Sequence, residues 1–538
     1  MRESLRTLPR IVWIVVAVQT LLIIATGLLY PTFQEPDEVL HVDYVLAHRH
    51  GEWFDGPAER LPQSGVINSW ATVPMTQLHQ HLGDKTITPR SERKSFDAVG
   101  TAPMPSNTQP NQMVQHPFGY YGLAAGWSYL LPDFEHHRFD IQVWWLRLLS
   151  VLLMMPVPIL IYLAGRRLTA NPSIALLASI LPMGLPTYLR TGASVSNDVL
   201  MVSIGAWLMY ELAKVLTGDL TKKTALRVGI SWGLLLLVKG FALVMPPVIV
   251  LAYLIAARGR IRERIRRAIS PLVLAGAVGV ALGGWWWIRN EIVYGAIQPH
   301  GRGDLWPSTR LYGRHLGGSK VDLLTGFIKR VVHRTFGSLG LVDKPSWPTV
   351  LLTTMFIVGL LLVLGGIWRG FAASSAPRGA ALTYFLPVPL VLAVVLVGIK
   401  HIWNTSHTIP GVQVRYLWAF MPGIAVPVAV LIVWLAARLR LSRFAAVICY
   451  VLIGVFELCN ALLVVSQQFG DPTGSWFSRL RSGLHFVIGW YPFSPVLSVL
   501  LIVLTAAGGL VLGGALLRQA TRAQIPARID EPEPALVG

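Results

Sequence analysis

The sequence predicts an all-α protein that crosses a membrane many times, and three observations carry that prediction. Of 538 residues, 53% are hydrophobic and only 14% charged, with a mean hydropathy of +0.54, well outside the range of soluble globular chains. The apolar residues gather into about twelve separate runs, most of them close to the ~20 residues that span the hydrocarbon core of a bilayer. The loops between alternate runs are all basic, the asymmetry expected of a polytopic membrane protein.

The runs fall at 11–30, 142–165, 173–190, 197–217, 225–239, 241–257, 269–288, 349–368, 380–399, 416–437, 444–465 and 494–517. The first, "IVWIVVAVQTLLIIATGLLY", follows Arg2, Arg6 and Arg10. No small-residue cleavage site separates it from the acidic stretch beyond, so it reads as a retained helix and not a removed signal peptide. The runs 225–239 and 241–257 are individually short and are expected to be tilted, kinked or partly re-entrant near Pro246 and Pro247.

With the N-terminus in the cytoplasm, the inner loops read "GRRLTANP", "GDLTKK", "RGRIRERIRR", "RGFAASSAPRG" and "RLRLSR", and the tail carries Arg518, Arg522 and Arg528. That pattern predicts a multi-pass protein of the plasma (inner) membrane. The net charge of +19 and pI near 10.2 are accounted for by these loops and by contact with anionic lipids, not by nucleic acid. Cys449 and Cys459 lie ten residues apart in one run, ~15 Å along a helix, too far for a disulfide.

Residues 1–517 are therefore expected to form one transmembrane domain, followed by a polar cytoplasmic tail, 518–538, without fixed structure. On the outer side, 31–140 forms a long first loop with interfacial helices around "QHPFGYYGLAAGWSYLLP", and 289–348 forms a second large loop rich in Gly, Trp, Arg and His. Loops of this length in a compact protein are usually functional or disordered. No internal repeat is visible.

On this topology the notable polar residues share one side. Asp37, Glu38 and His41 follow the first run, and His116 opens the Tyr-rich stretch. Asn197 and Asp198 start the fourth run, Lys239 lies between the fifth and sixth, Arg289 ends the seventh and Arg415 begins the tenth. Ionisable groups at a membrane boundary are costly unless paired or working. Acids able to take a proton from a hydroxyl stand with cations able to hold a phosphate, and apolar spans offer a path for a lipid tail. The set suits a reaction between a lipid-phosphate donor and an acceptor outside the cytoplasm.

Each residue also has a plainer role open to it. Asp37 and Glu38 suit a helix-capping acidic pair, Asn197 and Asp198 the cap of the fourth run, and His116 a packed interfacial histidine. Arg289 and Arg415 suit side chains that snorkel to lipid phosphate. His41 lies four residues after Asp37, a spacing compatible with a metal ligand and equally with a hydrogen bond that fixes the acid. No cofactor is required by the pattern, and a divalent metal stays open.

The segments "EPDEVLH", "HPFGYY", "SVSND", "WWWIRNEIVYG" and "GVQVRYLWAFMP" resemble, in order, the PPDE-P-x-H, HPP-x-YY, NND, RN-x-x-x-YG and Q-x-RY motifs of a bacterial membrane-protein family catalogued as a domain of unknown function. That family is similar to the GT-C superfamily of integral membrane glycosyltransferases. The resemblance runs from about Pro31 to Pro422, and Phe118, Val39 and Val414 depart from the motifs while the acids, the Asn-Asp pair and the arginines remain.

The resemblance implies an inverting transferase that uses a polyprenyl-phosphate sugar and an acid of the first outer loop as general base. It implies Asp37 as that base, with Glu38 orienting it or binding the acceptor. Arg415, Arg289 and Lys239 become donor-phosphate ligands; His41, His116, Asn197 and Asp198 become acceptor-binding or orienting groups. The acceptor would be a glycan, lipid or protein hydroxyl.

Two other classes stay open, a transporter or flippase of a lipid-linked saccharide and a non-catalytic subunit of a cell-envelope assembly. Transporters tend to carry repeated halves and charges at mid-membrane, whereas here the charges crowd one face. The excess of Arg over Lys and the many Ala and Gly residues fit a high-GC bacterium, a setting in which arabinose or mannose donors are plausible.

Overall fold

The computed structural model describes residues 8–35, 37–73, 87–103, 108–301, 318–339, 344–345, 347–372, 376–406, 409 and 412–522. The predicted tail beyond 522 and much of the second outer loop lie outside the described residues.

All twelve predicted runs are helical, but three of them are not single long helices. Nine helices are long and apolar enough to cross a membrane, or ten if one bent pair counts as a span, among the described residues. The run 173–190 breaks into Pro172–Gly184 and Pro186–Gly192, which meet at 81°. The run 225–239 is a helix of 15 residues, Lys222–Leu236, only ~22 Å long at 1.5 Å per residue. The run 241–257 opens with a tight turn, Gly240–Val244, before its helix, Met245–Ala256. The chain thus interrupts itself at 237–239, and irregular backbone at membrane depth is tolerated only where it is buried in protein or lines a cavity. Lys239 sits in that interruption.

Burial sorts the spans into centre and rim. Asn197–Leu216 and Phe139–Thr169 are mostly buried, whereas Ser442–Phe469 and Pro495–Thr521 are mostly exposed and turn apolar side chains outward. At the centre, Gly205 lets Asn197–Leu216 close onto the segment Val414–Arg438, because a Cβ there would collide with the Ala419 carbonyl. Asp198 lies two turns before Gly205 and Arg415 one turn before Ala419. The close approach therefore brings an acid and a base from distant parts of the chain to the same end of the bundle.

The first long loop is a folded cap over that end. Asp43 accepts hydrogen bonds from the Gln63 amide at 2.7 Å and Asn111 Nδ2 at 2.7 Å, and pairs with Arg60 at 3.4 Å. Arg93 pairs with Asp140 at 2.8 Å and donates to the Gly489 carbonyl at 2.6 Å, which ties the loop to the helix Trp476–Gly489. The predicted interfacial segment forms a helix, Gly119–Ser128, with Tyr120, Tyr121, Ala124 and Ala125 buried and Leu123, Tyr129 and Leu130 exposed. Its Gly119 amide donates to the Leu237 carbonyl at 3.0 Å, so this helix is anchored on the same interruption that carries Lys239.

Candidate active site

A buried ion pair fixes the chain just after the first helix. Glu38 accepts from Arg147 Nε and Nη2, both at 2.7 Å, and from the amides of Phe33 at 2.9 Å and Val195 at 3.0 Å. Arg147 in turn donates to the carbonyls of Gly27, Tyr30 and Pro31. A bidentate arginine with its remaining donors satisfied is the arrangement that makes a buried charge tolerable. Both oxygens of Glu38 are engaged inside the protein. A second pair stands beside it: Glu35 lies 2.5 Å from Arg190 Nε, Arg190 Nη2 donates to the Gln34 carbonyl at 2.8 Å, and burial pushes the Glu35 carboxyl up to about 7 despite that arginine.

Asp37, held between these clamps, points the other way. It occupies the residue before the helix Glu38–Arg49, where an aspartate ordinarily accepts a hydrogen bond from the first turn, yet it makes no such bond and its backbone is left-handed at φ 64°. Its carboxylate instead meets Arg415 Nη2 at 2.6 Å. Left-handed backbone at a non-glycine residue persists only when its surroundings over-determine it, and here the Glu38–Arg147 pair supplies that constraint.

From Asp37 a chain of alternating charges runs inward. Arg415 Nε lies 2.8 Å from Asp198 Oδ2, and Lys239 Nζ lies 2.6 Å from Asp198 Oδ1. Asn197 Oδ1 accepts from Lys239 Nζ at 3.3 Å while its Nδ2 donates to the Val238 carbonyl. Lys239 also lies 4.6 Å from the Tyr416 ring centroid. The cap of the helix Asn197–Leu216 is Ser196, whose hydroxyl accepts from the Asp198 amide and donates to the Asp198 carboxylate at 3.2 Å. Exposure decreases along the chain: the side chain of Asp37 is 33% exposed, Arg415 10% and Asp198 1%. Asp37 is the group that faces outward.

Two histidines line the inner wall. His41 Nδ1 lies 3.0 Å from the Tyr121 hydroxyl and its Nε2 3.5 Å from Ser196 Oγ. His116 is buried with Nδ1 unpartnered. Burial, reinforced by Arg415 and Lys239, holds both imidazoles well below the usual histidine range, so both are neutral near pH 7. Because their folded pKa is depressed, the stability they leave intact above ~6.5 is lost as pH falls through that value, at up to ~1.4 kcal/mol per pH unit for each histidine. Glu35, with its raised pKa, acts in the opposite sense across the same range. The melting temperature of a His41→Gln/His116→Gln variant should therefore fall less steeply than that of the wild type between pH 6.5 and 5. Parallel profiles would contradict neutral burial of the histidines.

The structure thus brings together Asp37, His41, His116, Asn197, Asp198, Lys239 and Arg415 at one end of the bundle. Arg289 is half-buried, donates to Asn290 at 3.3 Å, and sits among aromatic rings, 5.5 Å from Phe54, 5.6 Å from Trp286 and 5.4 Å from Tyr294. The metal-ligand spacing of Asp37 and His41 does not become a donor set, since Asp37 is taken by Arg415 and the His41 nitrogens face Tyr121 and Ser196. Among the described residues no group of three or more His, Cys, Asp or Glu is placed to hold a metal. Sequence reasoning passed over Arg147 and Arg190, although a lone arginine in "WWLRLLSVLL" or "TYLRTG" is itself a sign of a buried partner. It also passed over Ser196 and Tyr121, whose pairing with His41 carries no local sequence signal.

Among solved structures, the chain is similar to ArnT from Cupriavidus metallidurans bound to undecaprenyl phosphate, at 11% identity over 94% of this chain and 77% of that one, with a TM-score of 0.43. It is similar to the Archaeoglobus fulgidus oligosaccharyltransferase in the apo form at 13% identity, over 92% of this chain and 55% of that one, with a TM-score of 0.42. The Archaeoglobus fulgidus oligosaccharyltransferase AglB in complex with an inhibitory peptide and a dolichol-phosphate matches at 12% identity, over 68% of this chain and 49% of that one, with a TM-score of 0.32. No curated protein matches the chain significantly. Over residues 20–424, which hold the whole charged cluster, the chain belongs to the family described as "Predicted membrane protein (DUF2142)".

Proposed function

We propose that this protein is a membrane glycosyltransferase of GT-C type that moves a sugar from a polyprenyl-phosphate carrier to a hydroxyl of a glycan, lipid or protein. The observation that carries the reading is Arg415, which bridges an outward-facing carboxylate, Asp37, and a buried one, Asp198, at the end of a membrane-embedded bundle. The ordered motifs that contribute these residues support it. The basic loops at the opposite end support placing the cluster on the extracytoplasmic face.

The chemistry follows from charge. Asp37 takes the proton of the acceptor hydroxyl as its oxygen attacks the anomeric carbon. The bond from that carbon to the phosphate oxygen breaks, and polyprenyl phosphate leaves with the electron pair. The phosphodiester begins with one negative charge and ends as a monoester with two, while Asp37 ends neutral. Cations fixed beside the leaving oxygen stabilise the second charge as it develops, a role that Arg415 and Lys239 fill. Asp198 and Asn197 orient those cations, and Glu38 with Arg147 positions Asp37 without reacting. Attack from the face opposite the phosphate inverts the anomeric centre.

Purified protein in lipid nanodiscs, offered a panel of polyprenyl-phosphate sugars with envelope glycans and lipids as acceptors, is expected to release polyprenyl phosphate in step with sugar transfer for one donor. Donor binding without transfer to any acceptor would move the transporter or assembly-subunit reading ahead.

A further inference from the structure

The charges of the cluster balance without any ligand. Asp37 and Asp198 offset Arg415 and Lys239, and every one of the four lies within 2.8 Å of an opposite charge. A phosphate oxygen that takes the Nη2 or the Nε position of Arg415 must displace a carboxylate. Asp198 is the wrong one to move: it is 1% exposed, holds both cations and accepts from the Ser196 hydroxyl at 3.2 Å. Asp37 is a third exposed, meets Arg415 through Oδ2, and makes no cap hydrogen bond to its own helix. Carboxylate and phosphate oxygens compete for guanidinium N–H groups with the same geometry.

We propose that Asp37 occupies the seat of the donor phosphate on Arg415 in the donor-free protein, so that donor binding releases Asp37 to act as base. The inference rests on the transferase reading and adds an order of events to it. While Arg415 holds Asp37, the carboxylate is in no position to accept the acceptor proton. Once phosphate replaces it, the freed carboxylate can turn to the acceptor hydroxyl, which attacks the face of the anomeric carbon opposite the phosphate. Donor binding precedes acceptor binding, and the base is masked against water until the donor is in place.

The inference predicts that removing the base tightens the donor. Binding of farnesyl phosphate to full-length protein in detergent micelles, followed by isothermal titration, should be at least about fivefold tighter in Asp37→Asn than in wild type, although the variant does not transfer sugar. Added positive field alone would also favour an anion, so the same substitution is made in an Arg415→Ala background, where the gain should vanish because the contested seat is gone. Asp37→Ala repeats the test without a side-chain amide. Wild-type binding with equal or weaker binding by both Asp37 variants overturns the inference and leaves the transferase reading standing. A gain that persists without Arg415 likewise overturns it. If neither wild type nor variants bind farnesyl phosphate, the transferase reading fails and the inference with it.

Discussion

Replacing Asp37 with Asn is expected to slow sugar transfer by at least about 100-fold, the scale set by loss of a positioned general base. Asparagine keeps the size of the side chain and its acceptor oxygen, so Arg415 retains a neutral partner and the left-handed backbone keeps a residue type that tolerates it. The loss should therefore fall on the chemical step, with kcat reduced and the KM for donor lower, since a competitor for the phosphate has been weakened. Single-turnover transfer at saturating donor, run beside a melting curve, separates this result from unfolding. A fully active, folded Asp37→Asn protein would move the base elsewhere.

The largest effect on stability is expected at Arg147. Arg147→Met leaves the Glu38 carboxylate buried without its cation and three backbone carbonyls without their donors, and breaking a buried ion pair from one side costs ~3–5 kcal/mol. Glu38→Gln is expected to cost a similar amount, because the Phe33 and Val195 amides donate to different carboxylate oxygens and glutamine keeps only one acceptor. The double variant Arg147→Met/Glu38→Gln should lose less than the sum of the two single losses. Reversible denaturation of the four proteins in one detergent checks the cycle. Strict additivity would show that the two residues do not act as a pair. Because the same clamp orients Asp37, any folded Arg147 variant should also transfer more slowly.

The helical class was legible in the sequence because apolar run length and loop charge are local properties that a bilayer enforces. The breaks within three of the runs were not. The bend of 81° before Pro186 and the interruption at Lys239 depend on what fills the space beside them, and composition is silent on that. Within the site, the residues that came together were those at span ends, where an ionisable side chain needs a reason. Arg289 shows the limit of that signal: it too ends a span, but the rings of Phe54, Trp286 and Tyr294 surround it, and aromatic residues dispersed over 240 positions give no hint of convergence.

The acids "EPDEVLHVD" read as one cluster in the sequence, yet the structure divides them among four roles. Glu35 pairs with Arg190, Glu38 with Arg147, Asp43 ties the loop at Gln63 and Asn111, and Asp37 alone turns outward to Arg415. Adjacent residues at a helix start point in different directions, so Asp37 and Glu38 were bound to part. Which of them faced outward was set by Arg147, 109 residues away from Glu38, and no local pattern could supply it.

The account's central claim is a single displacement at the anomeric carbon with Asp37 as base, and the configuration of the product tests it most directly. Once a donor is found, the anomeric configuration of the transferred sugar, read by NMR on the isolated product, is predicted to be opposite to that of the polyprenyl-phosphate donor. Retention would require a covalent sugar–enzyme intermediate or a different geometry of attack, and would contradict the role assigned to Asp37.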